Sequence, residues 1–266
     1  MPISSEPWAV LVLPTYNESE NLPALIAAIQ ALPTRVDVII VDDNSPDGTG
    51  ALADALVAQA TAPLIRPVAG DDAGRAVEVI HRPGKLGLGT AYAAGFGRAL
   101  AAGADLILTM DADFSHDPSY LPAILEASQR CDLVIGSRYT PGGGVRDWGW
   151  NRKALSWTAN AVAHLLLGLQ ARDCTAGFRC YRRRVLETVN PQTIRANGYS
   201  FLIELLYRCQ RRGFTIGEVP IIFTDRKLGH SKISRNEILK AEFTVLRLAA
   251  GRLVRRVYTR THLLNS

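Results

Sequence analysis

The order of apolar and polar residues divides the first half of the chain into short strands and longer helices. Residues 8–13 form a nearly continuous apolar run, which is typical of a strand covered on both faces. In the segment that follows, 18–31, apolar residues recur at helical spacing. The same alternation predicts further strands at 36–41, 77–81, 105–110 and 133–136, and further helices at 49–60, 87–102 and 118–130. It indicates an α/β fold with a mainly parallel, doubly wound sheet and helices on both faces.

Two local signals refine this reading of the first half. Asp117 followed by Pro118 is a favourable start for the helix over 118–130, with Asp as the cap. The segment 61–75 is rich in Gly, Pro and Asp and is predicted to be a surface loop. In a parallel sheet, ligands bind beyond the carboxyl ends of the strands, so the loops at that end are the ones to search for chemistry.

The second half has a different pattern. Residues 141–144 are predicted to be a flexible joint, and residues 151–168 a helix. Amphipathic helices are predicted over 200–212 and 234–256, around short strands near 178 and over 216–223.

No internal repeat and no long linker separates the two halves. We therefore expect one catalytic domain over 1–235, with a donor half of about 1–140 and an acceptor half of about 141–235. A basic amphipathic helix and tail, 236–266, would follow it.

Composition excludes several classes of protein. Of the 266 residues, 47% are hydrophobic and 21% charged, as in ordinary globular proteins and unlike disordered ones. No stretch approaches the ~20 apolar residues of a membrane span. Residues 1–7 lack a basic segment followed by an apolar run, so we expect no secretory signal. The cysteines form no CxxC pair and read as reduced thiols, which predicts a cytoplasmic setting. They are Cys131, Cys174, Cys180 and Cys209.

The net charge of +5 conceals an uneven distribution. Residues 1–133 hold 7 Lys and Arg against 17 Asp and Glu, a net charge of −10, whereas residues 134–266 hold 23 against 8, a net charge of +15. This asymmetry predicts an acidic half that holds a cation and a basic half that meets phosphates or an anionic surface. The basic half contains no recognisable nucleic-acid-binding module, and we expect no nucleic-acid partner.

The clearest chemical feature is the sequence Asp111-Ala112-Asp113 at the end of a predicted buried strand. Two carboxylates at this spacing can converge on one hard cation, which can hold a diphosphate and neutralise its charge as it departs. A lone pair of this kind more often only marks a turn. Here a second acidic pair, Asp42-Asp43, ends another strand, which favours the chemical reading.

A glycine-rich stretch, 84–89, precedes the third predicted helix. Its backbone amides could face a pyrophosphate, or its glycines could merely permit close packing. It is not a dinucleotide-binding fingerprint, because Tyr92 stands where GxGxxG requires glycine.

Taken together, the motifs resemble the inverting GT-A glycosyltransferases and, within them, the dolichyl-phosphate or polyprenyl-monophosphate mannose synthases of family 2. The resemblance spans roughly residues 8–235. In chain order, the motifs that carry it are PTYNE (14–18), VDDNSPDGT (41–49), GLG (87–89), DAD (111–113), GSRY (136–139), DCTAGFR (173–179) and RKLGHSK (226–232).

Carried over position by position, the resemblance implies a site for the sugar donor. The nucleoside pocket would be lined by Pro14, Tyr16, Glu18, Val41 and Asp43. The donor diphosphate would contact Asp111, Ala112 and Asp113, with both aspartates near a Mg²⁺ or Mn²⁺ ion. Family members often place Gln or Ser two positions after the second Asp as a further metal ligand, and Ser115 occupies that position here.

The resemblance also implies a cationic side of the site. Arg138, Arg226 and Lys232 would hold the donor phosphates or the reacting centre and, with Asp113, form the catalytic set. Arg226 and Lys232 flank Gly229 in a loop that is expected to close over the diphosphate. Arg presents a planar fork suited to phosphate oxygens.

The acceptor phosphate would lie against Arg138, Arg152 and Ser156, of which the last two share one face of a predicted helix. A phosphate monoester has a second pKa near ~6, so the attacking oxygen is already largely ionised at neutral pH. No strong general base is then required. A sugar-hydroxyl acceptor would instead require one, in the region of Asp173 or farther along.

The expected reaction is transfer of mannose from GDP-mannose to a polyprenyl phosphate in the membrane. Glucose from UDP-glucose, a sugar-hydroxyl acceptor, and a non-catalytic binding protein remain alternatives. Trp148, Trp150 and Trp157 with residues 165–167 form either a membrane-interface helix or a buried core helix. We expect peripheral attachment at the cytoplasmic face, with possible help from an integral membrane partner.

Overall fold

The computed structural model describes residues 6–60, 62–67, 74–196, 198–225 and 243–250. The strands are β1 Ala9–Thr15, β2 Asp37–Asp42, β3 Val77–His81, β4 Leu106–Thr109, β5 Leu133–Ser137, β6 Gly144–Arg146, β7 Arg179–Arg182, β8 Ile216–Pro220 and β9 Ile222–Thr224. The α-helices are α1 Leu22–Gln30, α2 Thr49–Gln59, α3 Leu88–Ala102, α4 Leu121–Ala127, α5 Trp150–Leu167, α6 Arg183–Val189, α7 Tyr199–Arg211 and α8, residues 243–250.

The strands form a seven-stranded sheet in the order β3-β2-β1-β4-β7-β5-β8 and a two-stranded sheet of β6 and β9. In the large sheet every pairing is parallel except those of β7, which runs antiparallel to both β4 and β5. The prediction of a mainly parallel α/β sheet is therefore confirmed. The antiparallel β7, from the second half of the chain, lies between β4 and β5 of the first half.

Alternate residues of the central strands supply the two hydrophobic cores. Val10 and Val12 of β1 face the cluster that includes α3, whereas Leu11 and Leu13 face the cluster that includes α1. All four side chains are fully buried, and burial of each contributes ~1.5–3 kcal/mol. This packing on both faces explains why β1 is an almost uninterrupted apolar run.

The structure corrects three details of the sequence interpretation. Gly144, predicted to lie in a flexible joint, begins β6, and a Cβ added at Gly143 would lie 2.5 Å from the Ser137 carbonyl oxygen, so this segment is a tightly packed turn. The helix predicted over 118–130 is a 3₁₀ turn at Pro118–Tyr120 followed by the shorter α4. Helix α6 follows β7 without a turn signal and was missed.

Two other predictions are tested in part. Asp117 caps the 3₁₀ turn as predicted, because its carboxylate accepts a 2.8 Å hydrogen bond from the Ser119 N–H. Of the helix predicted over 234–256, residues 243–250 are helical and the remainder lies outside the described residues. Of the surface loop predicted over 61–75, residues 61 and 68–73 also lie outside them. Within the described ranges, no helix combines the length and apolar character that a bilayer span requires.

Candidate active site

Three loops meet at the carboxyl end of neighbouring strands β2, β1 and β4. Thr15 at the end of β1 pairs with Asp42 at the end of β2, and the Asp43 N–H donates to the Thr15 carbonyl oxygen at 3.0 Å. The loop with Asp111 and Asp113 follows β4, on the other side of β1. The parallel sheet thus brings the predicted nucleoside residues and the predicted metal residues to one edge.

On the predicted nucleoside side of the site, a lysine side chain lies over the Tyr16 ring. The Lys85 ammonium is 4.0 Å from the centroid of the Tyr16 ring. Glu18 is buried, its backbone N–H donates to Thr49 Oγ1 at 2.9 Å, and its carboxylate accepts a 3.0 Å hydrogen bond from Asn21. Both residues are held at the strand end where a nucleoside would be bound.

Asp43 is engaged by the protein itself. Its carboxylate accepts a 2.5 Å ion-pair hydrogen bond from Arg82 and a 3.1 Å bond from the Gly87 N–H. Burial raises the pKa of Asp43 above its ordinary value, and the attraction of Arg82 opposes this only in part. Arg82 also donates to Thr90, at the start of α3. Asp43, a predicted nucleoside residue, is therefore held by the β3–α3 loop.

This arrangement decides between the two readings of the glycine-rich stretch. The Gly87 N–H points at Asp43, so it is not directed at a pyrophosphate. A Cβ at Gly89 would lie 2.8 Å from the Phe201 side chain, so glycine permits close packing there. The Gly87 amide therefore does not support the pyrophosphate alternative, whereas the close contact at Gly89 supports the packing alternative.

Some of the predicted donor residues can contact a ligand only through their backbone. Val41 is fully buried in the core beneath α3, and Ala112 packs into the core beneath α1. Pro14 is half-buried and lies within β1, opposite Val41. The neighbouring Asp42 is occupied locally, since it accepts hydrogen bonds from Thr15 and Ser45.

Asp111 and Asp113 flank a buried imidazole. The Asp111 N–H donates to His116 Nδ1 at 3.3 Å, and Asp111 Oδ2 lies 3.7 Å from the same nitrogen. Burial of His116 outweighs the attraction of Asp113 and lowers the pKa of the imidazole to about 4. The ring is therefore neutral at neutral pH and orients the loop as a hydrogen-bond acceptor. Asp113 in turn accepts a 3.1 Å bond from the Ser115 N–H.

The residues present fit a divalent ion in part. Among the described residues, no group of three or more His, Cys, Asp and Glu side chains is arranged to hold a metal. Ser115, however, is buried and its hydroxyl has no hydrogen-bond partner. An unsatisfied buried oxygen beside two carboxylates is a suitable donor for a hard cation. Asp111, Asp113 and Ser115 would therefore need further oxygens, such as those of a diphosphate, to complete the coordination.

Arg138 is fixed by Asp173 in a buried ion pair. Its Nε and Nη2 each donate to the Asp173 carboxylate at 2.7 Å, and Nη2 also donates to Thr175 Oγ1 at 2.7 Å. Burial by itself would lower the pKa of Arg138 and raise that of Asp173. The ion pair outweighs burial in both cases, and Asp111 raises the pKa of Arg138 further. The cationic and acidic parts of the predicted site are thus electrostatically coupled.

The loop that carries Asp173 is braced by a fully buried arginine. Arg179 donates to the carbonyl oxygens of Ala176, Leu202 and Cys174 at 2.7–2.8 Å. Its guanidinium ties Cys174 and Ala176 of this loop to Leu202 in α7, so the fold restrains the position of Asp173. The sequence marks this residue only as the last member of the DCTAGFR motif.

The predicted acceptor residues lie on α5 and its flank. Arg152 donates to Asp225 at 2.7 Å, and its guanidinium lies 4.3 Å from the centroid of the Trp148 ring. Ser156 Oγ accepts a 2.7 Å hydrogen bond from the Tyr139 hydroxyl. The structure therefore brings together Arg138, Arg152 and Ser156, as the resemblance implies. Arg226 and Lys232 lie outside the described residues.

Several site residues were not identified from the sequence. Arg82, His116 and Trp148 gain their roles from partners far along the chain, and they lack a motif of their own. His116 is adjacent to the predicted metal ligand Ser115, but nothing in the sequence signals its burial. The sequence offers one signal for these residues, because Arg82 lies just before the glycine-rich stretch.

The fold and the site define a glycosyltransferase of the GT-A type. The chain belongs to glycosyl transferase family 2, whose model matches residues 10–189. It is 46% identical over 237 residues to a polyprenol monophosphomannose synthase of Mycolicibacterium smegmatis, covering 89% of this chain and 84% of that one. It is 42% identical over 236 residues to an undecaprenyl-phosphate mannosyltransferase of Micrococcus luteus, covering 89% and 91%.

Solved structures support the fold. Glucosyl-3-phosphoglycerate synthase from Mycobacterium tuberculosis, in complex with Mn²⁺, UDP and glucosyl-3-phosphoglycerate, superposes with a TM-score of 0.63 at 18% identity, covering 92% of this chain and 81% of that one. The same enzyme with Mg²⁺ and UDP gives a TM-score of 0.64 at 20% identity, covering 92% and 80%. At this level of identity the similarity concerns the fold alone.

Proposed function

We propose that the protein transfers mannose from GDP-mannose to a polyprenyl monophosphate, with inversion at the anomeric carbon. The observation that carries this proposal is the position of Arg138 near the acidic loop: its guanidinium lies 5.6 Å from the centroid of the Phe223 ring, and Phe223 packs on His116, which contacts Asp111. A side chain suited to an anion thus lies close to side chains suited to a cation. The two mannosyltransferase relatives, at 46% and 42% identity, support the choice of mannose and of a polyprenyl phosphate.

The reaction is a single displacement. An oxygen of the lipid phosphate forms a bond to the anomeric carbon, while the bond from that carbon to the diphosphate breaks and GDP leaves with the electron pair. Because the phosphate is already ionised, the attacking oxygen requires no proton acceptor. Asp173 is unsuited to that role, since it is fully buried, paired with Arg138 and has a lowered pKa. This favours the lipid phosphate over a sugar hydroxyl as acceptor.

The residues of this chain have distinct tasks in the proposed reaction. Asp111, Asp113 and Ser115 would hold Mg²⁺ or Mn²⁺, which neutralises charge on the departing diphosphate. Arg138 and Arg152, with Ser156, orient the lipid phosphate by charge-assisted hydrogen bonds. Arg226 and Lys232 are proposed to bind the donor diphosphate.

Because the proposed acceptor is a membrane lipid, the protein must also bind to the membrane surface. On α5, Trp150, Trp157 and Leu165 are 79%, 67% and 82% exposed and share one helix face, whereas Leu167 is buried. Trp148, which precedes α5, is also buried. The predicted tryptophan cluster is thus only partly a surface. We infer peripheral attachment through this face at the cytoplasmic side of the membrane, with an integral partner protein as a possible addition.

Reconstitution tests the proposed function. The purified protein, with a short polyprenyl phosphate, GDP-mannose and Mg²⁺, is expected to form a glycolipid that mild acid cleaves. A parallel series with UDP-glucose and other nucleotide sugars identifies the donor. Formation of a glucolipid instead would correct the sugar, and no transfer from any donor to the lipid phosphate would refute the proposal.

A matched pair of variants distinguishes an enzyme from a binding protein. Asp113→Ala is expected to reduce turnover by orders of magnitude. Asp117→Ala removes an exposed carboxylate of the same loop whose contact is the Ser119 N–H, and it should retain activity at a cost of ~0.5–2 kcal/mol in stability. Equal activity of the two variants would contradict a catalytic role for Asp113.

A further inference from the structure

One indole ring contacts two arginines of the acceptor site. The guanidinium carbon of Arg152 lies 4.3 Å from the centroid of the Trp148 ring, and that of Arg138 lies 5.4 Å from it. The two guanidinium carbons are therefore no farther apart than the sum of these distances. A phosphate that accepts charge-assisted hydrogen bonds of ~2.7–2.9 Å from two guanidinium groups bridges a comparable gap.

Each of the two cations has the Trp148 ring as one neighbour and a carboxylate as another. Arg138 donates to Asp173 and Arg152 donates to Asp225, at 2.7 Å in both cases. Guanidinium groups are attracted to the negative face of an indole ring. The ring thus lies against two like charges that would otherwise repel each other.

The ring itself is fixed to the metal-binding loop. Trp148 packs edge-to-face on Phe223 with ring centroids 5.3 Å apart, and Phe223 packs edge-to-face on His116 at 5.1 Å. The Thr224 N–H, next in the chain, donates to the Ser115 carbonyl oxygen at 3.2 Å. Movement of the Trp148 ring would therefore alter the spacing between the acceptor cations and the Asp111–Asp113 loop.

The indole nitrogen has no structural task. Trp148 is 8% exposed, and its Nε1–H is buried without a hydrogen-bond partner. A buried indole N–H normally finds an acceptor, and leaving it unpaired reduces stability. Phenylalanine would avoid this cost, which offsets part of the packing lost with its smaller ring.

From these contacts we infer that Trp148 is a positioning residue, whose ring sets the spacing of Arg138 and Arg152 to fit one phosphate monoester of the lipid acceptor. The inference rests on the proposed function, because it takes the lipid phosphate to be the anion that the two arginines share. Trp148 acts through the arginines and contacts no reacting atom.

Two substitutions test it in the full-length protein. Trp148→Leu removes the aromatic face and is expected to raise the KM for polyprenyl phosphate about tenfold, with the KM for GDP-mannose within about twofold of wild type. Trp148→Phe keeps a smaller aromatic face and should raise the lipid KM about threefold. Its melting temperature should lie close to that of wild type, because removal of the unpaired N–H offsets part of the packing lost with the smaller ring.

Trp8→Phe is the matched control. Trp8 is also buried, but its Nε1–H donates to Asp37 at 2.6 Å, so this variant should melt at a lower temperature and keep both KM values. A general packing defect would instead move both KM values together at position 148. If Trp148→Leu does not fold, Trp148→Phe decides the question. A raised lipid KM at an unchanged melting temperature supports the inference, and an unchanged lipid KM overturns it.

Direct binding separates this inference from the proposed function. A short prenyl phosphate is titrated calorimetrically into wild type and Trp148→Leu, with no donor present. About tenfold weaker binding to the variant supports the positioning role, even if the wild type transfers no sugar and the proposed function fails. Equal binding to the two proteins, or an unchanged lipid KM in Trp148→Leu, would overturn it.

Discussion

The Asp173 carboxylate accepts two hydrogen bonds from the Arg138 guanidinium, at 2.7 Å from Nε and 2.7 Å from Nη2. The side chain of Asp173 is fully buried and that of Arg138 is 8% exposed, so water scarcely screens the pair. This bidentate contact sets the direction of the Arg138 fork before any ligand contact. It also commits Asp173 to a structural task.

Removal of the Asp173 charge should cost both stability and rate. Asp173→Asn leaves Arg138 as a buried, uncompensated charge, which typically costs ~3–5 kcal/mol. We expect a lower melting temperature and a kcat reduced about tenfold or more, since a misdirected cation no longer stabilises the transition state. Thermal unfolding and steady-state kinetics measure the two effects.

An exposed ion pair supplies the control for Asp173. Glu187 accepts a 2.7 Å contact from Arg183 one helical turn away on α6, with side chains 50% and 36% exposed. Glu187→Gln should therefore change stability by less than ~1 kcal/mol and leave kcat unchanged. If Asp173→Asn behaved in the same way, the buried pair would have no special importance.

Ser115 should affect metal affinity without affecting stability. Because its hydroxyl has no hydrogen-bond partner, Ser115→Ala is expected to change the free energy of unfolding by less than ~0.5 kcal/mol. If the hydroxyl ligates the ion, the affinity for Mn²⁺ should fall about tenfold, as measured by calorimetry in the presence of GDP.

Ser128 is the matched residue for that experiment. It is also buried, but its Oγ donates to the Leu125 carbonyl oxygen at 2.7 Å, so Ser128→Ala should cost ~1 kcal/mol and leave Mn²⁺ affinity unchanged. Equal Mn²⁺ affinity of wild type and Ser115→Ala would remove Ser115 from the set of metal ligands.

Arg82 should limit the pH dependence that Asp43 imposes on stability. The pKa of Asp43 is raised above its ordinary 3.8, so its contribution to stability is present below that pH and is lost as the pH rises through the folded-state pKa. Arg82→Met removes the main opposing attraction, so the pKa rises further. The loss then becomes larger and extends to higher pH.

Melting temperatures measured from about pH 4 to pH 8 test this expectation. The difference between wild type and Arg82→Met should widen as the pH rises and then level off. In the background of Asp43→Asn the same substitution should give a difference that does not vary with pH. A constant difference in both backgrounds would show that Arg82 acts by packing alone.

The exposed face of α5 should bind membranes. Trp150→Ser combined with Trp157→Ser is expected to weaken binding to vesicles that contain anionic lipid about tenfold or more, since both rings are largely exposed. The melting temperature should stay unchanged for the same reason. High salt should weaken the binding of wild type by screening its electrostatic part.

Ile65 provides a surface control for that experiment. It is 61% exposed and lies near β3, at the opposite edge of the sheet from β8. Ile65→Ser should leave vesicle binding unchanged. If the wild type, the double tryptophan variant and Ile65→Ser all bound equally well, the α5 face would not be the membrane contact.

The sequence alone determined the donor half of the fold and the place of its chemistry. β1, β2 and β4 are local apolar runs, and each is followed by its polar loop, so their identity does not depend on distant contacts. Because parallel strands connected by helices run in the same direction, their carboxyl ends lie at one edge of the sheet. The sequence therefore predicts that Asp43, Asp111 and Asp113 meet at that edge. The motif resemblance added the cationic side.

Tertiary structure decided which partner each of these side chains has. Asp43 meets Arg82 across 39 positions, and Arg138 meets Asp173 across 35. The Trp148 ring contacts the Phe223 ring because β6 pairs with β9. The local pattern of the sequence predicts which residues are buried and which lie in turns. Which buried charges and rings pair with each other depends on how strands that are far apart in the chain pack against one another.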